Sequence, residues 1–258
     1  MARQSDITRR KKPTATSLSS DELSLIDREI KERSLFSART TEQRYLESMR
    51  DVLEDFTSGG IGEGEARKQL MELLDDFGYT PEDGFPDAEK VDPAEPGTIE
   101  DLSSFGRINL VVDTNAGMAA SVSRLAEEND DTLYMFPAWR FTRFMTPNGE
   151  PRDWAVRWAA AGDAVGWQGA CRDEMVARKD SPIWQALGDG AGGFGDTLHN
   201  PYPPFAFNSG MGWEDVDREE AESLGLDVHA VTPELPKLSV DADEAAAARR
   251  AFGAEFIA

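Results

Sequence analysis

All six tryptophans of this chain fall between Trp139 and Trp213, and that crowding decides where its main core must form. Indole rings bury the largest areas of any side chain, so a stretch that holds all of them has to fold around them. Within it, Trp139, Phe141 and Arg143 alternate with Arg140, Thr142 and Phe144, a period of two that predicts a strand. Pro151–Ala161 predicts a short helix, opened by the proline, with Trp154 and Trp158 stacked one turn apart. Glu174–Arg178 predicts a further strand. The next segment, Lys179–Leu187, turns at Pro182 and buries Ile183, Trp184 and Leu187, and Asp189–Asp196 is a glycine-rich loop.

The last tryptophan lies in Asn200–Leu226, the expected packing centre. Pro201, Pro203 and Pro204, with Tyr202 between them, hold the chain extended and deny it backbone donors. Phe205 and Phe207 alternate with Ala206 and Asn208 and predict a short strand. Gly210 and Gly212 bracket Met211 in a turn, and Trp213 is a large apolar anchor beside it. From Glu214 the spacing of Val216, Ala221 and Leu224 predicts an acidic helix ended by Gly225.

Upstream the pattern is helical. Ser19 and Glu22 have the spacing of a capping box, and Leu23, Ile26 and Ile30 come after them at helical intervals. Thr41–Phe56 places Tyr45, Met49, Val52 and Phe56 on one stripe, and Glu63–Phe77 does the same for Ala66, Leu70, Leu73, Leu74 and Phe77. The glycines between them, Gly59 to Gly64, form a helix–helix turn; without a preceding strand or a succeeding Gly-Lys-Ser/Thr they are no phosphate loop. Ile99–Asn129 continues one register through Ile108, Val111, Val112, Met118, Ala119, Val122 and Leu125, which predicts a long helix. Asn115 shares that stripe and needs a buried partner or a helix–helix contact. These readings divide the chain into a basic flexible arm (1–18), a helical module (19–80), an acidic proline-rich linker (81–98), an α+β domain (99–231) and an acidic, alanine-rich tail (232–258). The expected class is α+β: a helical N-terminal module, then a mixed α/β C-terminal domain with a small sheet and a Trp-rich core.

Charge and chemistry narrow the function. Forty-nine acidic against 27 basic residues give a net charge of −22, which opposes broad electrostatic binding to nucleic acid or to an anionic membrane. Nucleic-acid contact is expected only through the arm 1–12, where Arg3, Arg9, Arg10, Lys11 and Lys12 collect. That arm reads either as a solvated tail or as a segment that docks on an acidic partner. No apolar run comes after it, so no secretory signal is expected, and no stretch approaches a membrane span. A single Cys171 leaves no internal disulfide. With only His199 and His229, no Ser-His-Asp, Cys-His or metal-ligand pattern emerges, so no catalytic residue and no cofactor or metal is expected. Arg152–Asp153 and Lys179–Asp180 each open an element that carries a tryptophan, Trp154 and Trp184. They form buried ion pairs that orient loops, or they hold a ligand.

Four segments then appear in an order that resembles a known family. Arg107–Asn129 is similar to the Arg-Thr-Asn helix of the phage Mu F-like minor head proteins, and PAWRFTRF at Pro137–Phe144 to that family's aromatic strand. KDSPIW at Lys179–Trp184 resembles its Asp-Asp-Pro-Phe-Trp element, and YPPFAFNSGM at Tyr202–Met211 its Tyr-Pro-Pro…Asn-Cys-Arg-Cys end. The likeness covers about Thr41–Gly225. Where the family has a histidine turn this chain has Glu150–Trp154, and Ser209-Gly210-Met211 replaces Cys-Arg-Cys. The resemblance implies a non-enzymatic minor head protein of a tailed phage or prophage-like particle. Its expected partners are the portal or major capsid protein, and its expected places the host cytoplasm during assembly and the virion head. The alternatives are a hydrolase or toxin-like enzyme using His199 with nearby carboxylates, and a small-ligand module on the aromatic cluster. The residues expected to matter are Asn115, Trp139, Arg152, Asp153, Trp154, Asp180, Trp184, Tyr202, Pro203, Pro204, Phe205, Phe207, Asn208 and Trp213.

Overall fold

A computed structural model describes residues 9, 11–19, 22–23, 34–35, 37–144, 152–167 and 170–228. The expected tail helix, Arg3 and Arg10 of the basic arm, and Ile26 and Ile30 of the first expected helix lie outside the described residues. The protein is α+β, and its contacts fall into two units, one within Ala2–Ala120 and one within Ser121–Pro236.

In the first unit, β1 (Lys12–Pro13) pairs in parallel with β2 (Ser34–Leu35). The expectation of a free arm through residue 18 is therefore corrected. Thr14 N–H donates to Leu35 O at 2.9 Å and Thr16 N–H to Thr40 O at 2.8 Å. Gln43 takes Ala15 N–H at 3.1 Å and donates to Pro13 O at 3.0 Å. A chain with its backbone groups paired in this way buries even Lys11 and Thr16. Beyond it, the Ser19–Glu22 capping contacts are present: Ser19 N–H and Oγ both donate to Glu22 Oε2 at 2.8 Å.

Helix α1 (Gln43–Thr57) turns Tyr45, Leu46, Met49, Val52 and Leu53 inward. Helix α2 (Glu63–Asp76) answers with Ala66, Leu70 and Leu74. The proline-rich 81–98 is irregular, but it is no boundary. Phe85 is 2% exposed, its ring 5.4 Å from Tyr45 and 5.1 Å from Tyr79. Aromatic burial holds that segment in the first unit's core.

Helix α3 covers Phe105–Glu127, six residues shorter at its start than the apolar register suggests. The reason is local: the Asp101 carboxylate takes Gly97 N–H at 2.8 Å and Ser103 N–H at 2.9 Å, and Ser104 Oγ takes Arg107 N–H at 3.1 Å. These short polar side chains bond the backbone in turns and cap the helix rather than extend it. The unit boundary falls inside α3, between Ala120 and Ser121. Arg107 is buried and bonds Ser37 Oγ at 2.7 Å and Ala38 O at 3.0 Å, and burial pulls its pKa down.

The second unit is built on a four-stranded antiparallel sheet, order β4-β5-β3-β6. Its elements after α3 are α4 (Asp130–Met135), β3 (Ala138–Arg143), α5 (Trp154–Ala164), β4 (Ala170–Cys171), β5 (Val176–Arg178), α6 (Ile183–Gly188), β6 (Met211–Val216) and α7 (Arg218–Ser223). Two expectations about the last segment are corrected. Phe205–Asn208 is no strand; only Ala206 bridges, to Thr197. Asn208 (φ 52°) and Gly210 (φ 63°) take left-handed backbone that breaks an extended run there. The strand is instead Met211–Val216, in register with β3 from Arg143↔Met211 to Ala138↔Val216. At Gly212, inside it, a Cβ would lie 2.6 Å from the exposed Phe144 ring, so any larger residue would displace that ring. The helix starts at Arg218, where Asp217 takes Glu220 N–H at 2.8 Å.

Candidate functional site

Alternation along β3 sends Trp139 and Phe141 to one face of the sheet, and β6 brings Trp213 to the same face. The Trp139 and Trp213 rings stack with centroids 3.7 Å apart and planes 9° apart. Pro182 opens α6, which presents Trp184 edge-on to both, at 5.9 and 5.7 Å. Phe205 fills the remaining side, 6.2 Å from Trp184, 6.1 Å from Trp213 and 5.4 Å from Phe141. From α5, Trp154 meets Phe141 at 5.1 Å and Trp158 meets Trp184 at 5.4 Å. Edge-to-face and offset geometries of this kind add to the stabilisation from area burial alone.

An ionic network with a buried Lys179–Glu128 pair borders this aromatic cluster. Lys179, its side chain 1% exposed, places Nζ 2.5 Å from Glu128 Oε1 and 3.1 Å from Asp215 Oδ1. Its ammonium also lies 5.1 Å from the centre of the Trp139 ring. Trp139 Nε1–H donates to Asp215 Oδ1 at 3.1 Å. Arg124, from the last turns of α3, reaches Asp215 Oδ2 and the Trp213 carbonyl, each at 2.6 Å. Two cations thus face two carboxylates, and the ammonium is held by oxygens and an aromatic face, the condition for burying it at acceptable cost. Arg124 also occupies an outward carbonyl of edge strand β6, which blunts it against strand addition.

A second cluster centres on Asp196. Arg152 Nε donates to its Oδ2 at 2.5 Å and Arg157 Nη1 to its Oδ1 at 2.8 Å. The Arg157 guanidinium lies over the rings of Phe194 at 4.4 Å and Trp154 at 5.1 Å. Burial pushes the Asp196 carboxyl up, but the hydrogen bonds from Arg157 and Arg152 outweigh it and hold the pKa below the ordinary carboxylate value. A depressed pKa stabilises the fold above the unfolded carboxylate range, and that contribution disappears as pH falls through the folded value. Asp196→Asn is expected to flatten the acid limb of stability against pH, with the variant converging on the native protein in acid. Urea denaturation at a series of pH values measures it; an unchanged acid limb would show that the carboxylate is not linked to folding.

The expected pairs Arg152–Asp153 and Lys179–Asp180 are corrected. Arg152 turns to Asp196, while Asp153 caps α5 by accepting Val156 N–H at 3.1 Å. Lys179 turns to Glu128 and Asp215, and Asp180 pairs with Arg178 at 2.6 Å, raising that arginine's pKa. Neighbours in sequence on an extended segment point to opposite sides, so adjacent charges seldom meet. Asn115 finds its partner on its own helix: its amide donates to Val111 O at 2.8 Å. Tyr202 is 1% exposed beside the cis Pro203–Pro204 bond, Phe207 is half-buried, and the carbonyl of Asn208 takes Arg152 at 3.3 Å. Glu128, Arg124 and Asp196 escaped the sequence reading. A signal for Glu128 was its place one turn past Arg124 at the end of the apolar register.

The two groups weighed for reactivity, His199 and Cys171, lie in different segments of the second unit. His199 Nδ1 is 3.8 Å from Asp189 Oδ1. Cys171 is a free cysteine of intermediate burial. Among the described residues, no three His, Cys, Asp or Glu side chains are grouped to hold a metal ion. Among them, too, no helix is long and apolar enough to cross a membrane. Among the described residues, the contacts of the two ionic clusters clamp segments that are far apart in sequence. In comparisons with known proteins, no protein-family model, no curated protein and no solved structure matches this chain.

Proposed function

We propose that the chain is a non-enzymatic minor head protein of a tailed phage or prophage-like particle, acting in head morphogenesis through contacts with the portal or major capsid protein. One observation carries the reading. The four segments that resemble the Mu F-like family, far apart in sequence, supply the members of one core. Glu128 comes from the first, Trp139 and Phe141 from the second, Lys179 and Trp184 from the third, and Phe205 from the fourth. Shared motifs that meet in space support a shared fold more strongly than motifs scattered over a surface, although fold alone does not give function.

The test is co-expression with the portal and major capsid proteins of the same particle, then purification through a tag on the portal. The chain is expected to co-purify and to enter heads, and His199→Ala is expected to do both as the native protein does. Absence from portal complexes and from heads would overturn the reading. Normal incorporation of a folded His199→Ala protein with loss of infectious particles would instead favour an enzyme.

A further inference from the structure

We infer that the buried guanidinium of Arg107, in the first turn of α3, is a receptor for one carboxylate that the described residues do not supply. Arg107 is 6% exposed. Its Nη2 donates to Ser37 Oγ at 2.7 Å and to Ala38 O at 3.0 Å. Its Nε–H is also buried and has no partner among the described residues. Both acceptors are neutral. The groups that act on its charge, Tyr45 and Tyr79, are phenols whose pKa burial pushes up, so they are neutral too.

Among the described residues no carboxylate pairs with this cation. Asp101 turns its oxygens to Gly97 N–H at 2.8 Å, Ser103 N–H at 2.9 Å and Ser103 Oγ at 2.7 Å. Glu100 pairs with Arg39 at 2.7 Å, and Asp113 with Arg67 at 3.2 Å. A buried lysine could shed its charge by a shift in pKa. Arginine has no such exit: burial pulls the Arg107 pKa down, yet a guanidinium stays protonated in a folded protein. Its position adds to the imbalance, because the first turn is the positive end of the dipole of a 23-residue helix. The second unit treats its buried cation differently, giving Lys179 the carboxylates of Glu128 and Asp215. A permanent buried cation with an idle donor is satisfied by an anion brought to it.

Charge matching selects the class of anion. One guanidinium offsets one negative charge, and a dianion such as sulfate would leave a second charge in the same buried surroundings. The net charge of −22 on the chain also repels a dianion more strongly than a monoanion. A carboxylate carries one charge and accepts charge-assisted hydrogen bonds of the kind Nε–H offers. The Ser37 hydroxyl, an acceptor toward Nη2, still has its own proton to donate. A small free acid and an acidic side chain of a partner present the same chemistry.

Formate is the probe for the free acid, and N-acetyl-glutamate amide for the side chain. Each is titrated at constant ionic strength into the isotopically labelled full chain, and the Arg107 Nε–H resonance is followed. Formate is expected to move that resonance saturably, half-way at roughly millimolar concentration. It should also show a nuclear Overhauser effect from its C–H to Arg107 Hε, and raise Tm by binding the folded chain. Sulfate is expected to bind about tenfold more weakly. In Arg107→Gln the rise of Tm with formate should vanish. If that variant does not fold, the Overhauser contact in the native chain decides, and its absence would overturn the inference. A resonance that responds to formate only as it does to sodium chloride would overturn it as well. So would an undiminished rise of Tm in Arg107→Gln, or sulfate that binds as tightly as formate. Movement by N-acetyl-glutamate amide as well as formate assigns the carboxylate to a partner's side chain; movement by formate alone assigns it to a free acid. The inference goes beyond the head-protein reading and shares no readout with incorporation into heads, so the two fail separately.

Discussion

Lys179→Met is expected to destabilise the second unit by about 3–5 kcal/mol, because it strips a buried carboxylate of its counter-charge. Glu128 has a side chain 6% exposed, and without the ammonium 2.5 Å away its Oε1 loses its charged partner. Thr132 Oγ1 would still donate to the other oxygen at 2.9 Å, but a hydroxyl cannot neutralise a carboxylate. Asp215 loses less, since it is 36% exposed and keeps Arg124. The pair itself is not expected to be worth that much. Replacing both partners with apolar residues of similar volume, Lys179→Met with Glu128→Leu, should recover most of the stability, because neither charge is then left to be buried alone. Urea denaturation of the single variants and the double variant measures this. A Lys179→Met protein as stable as the native one would mean that the network contributes nothing to the fold.

That network also shows what a sequence can and cannot reveal here. Local pattern placed α1, α2, β3, α5 and β5 close to where they lie, since each rests on periodicity within a few turns. The tryptophans located the core for a similar reason: bulk and apolarity need no knowledge of partners. Several of the failures are matters of pairing. Lys179 stands beside Asp180 in the chain yet bonds Glu128, fifty-one residues away, a choice made by the sheet and by the end of α3. The alternation at Phe205–Asn208 looked like a strand, but the ladder of six pairs between β3 and Met211–Val216 fixes the strand later. The proline-rich 81–98 has the composition of a linker; one phenylalanine, Phe85, buried between two tyrosines, makes it part of a core. Composition reports average preference, whereas a single large aromatic side chain can override it.

Trp213→Ala is expected to cost on the order of 3–5 kcal/mol, as loss of a large buried ring does. Trp213 is 3% exposed and touches Trp139, Trp184 and Phe205, so its removal opens a void that three aromatic rings border and cannot easily collapse into. Its indole N–H is buried and finds no hydrogen-bond partner among the described residues. Trp213→Phe therefore loses part of the stack but also removes an unsatisfied donor, and should cost clearly less than the alanine. The same core separates two neighbours. Phe205 is fully buried and Phe207 half-buried, so Phe205→Ser should destabilise several-fold more than Phe207→Ser. Chemical denaturation orders the four variants, and incorporation into heads is read beside it. Native stability for Trp213→Ala together with lost incorporation would contradict its place in the core, because a ring that only holds the fold cannot be removed without weakening it. The stretch would then act as a docking surface, with Trp213 turned toward a partner.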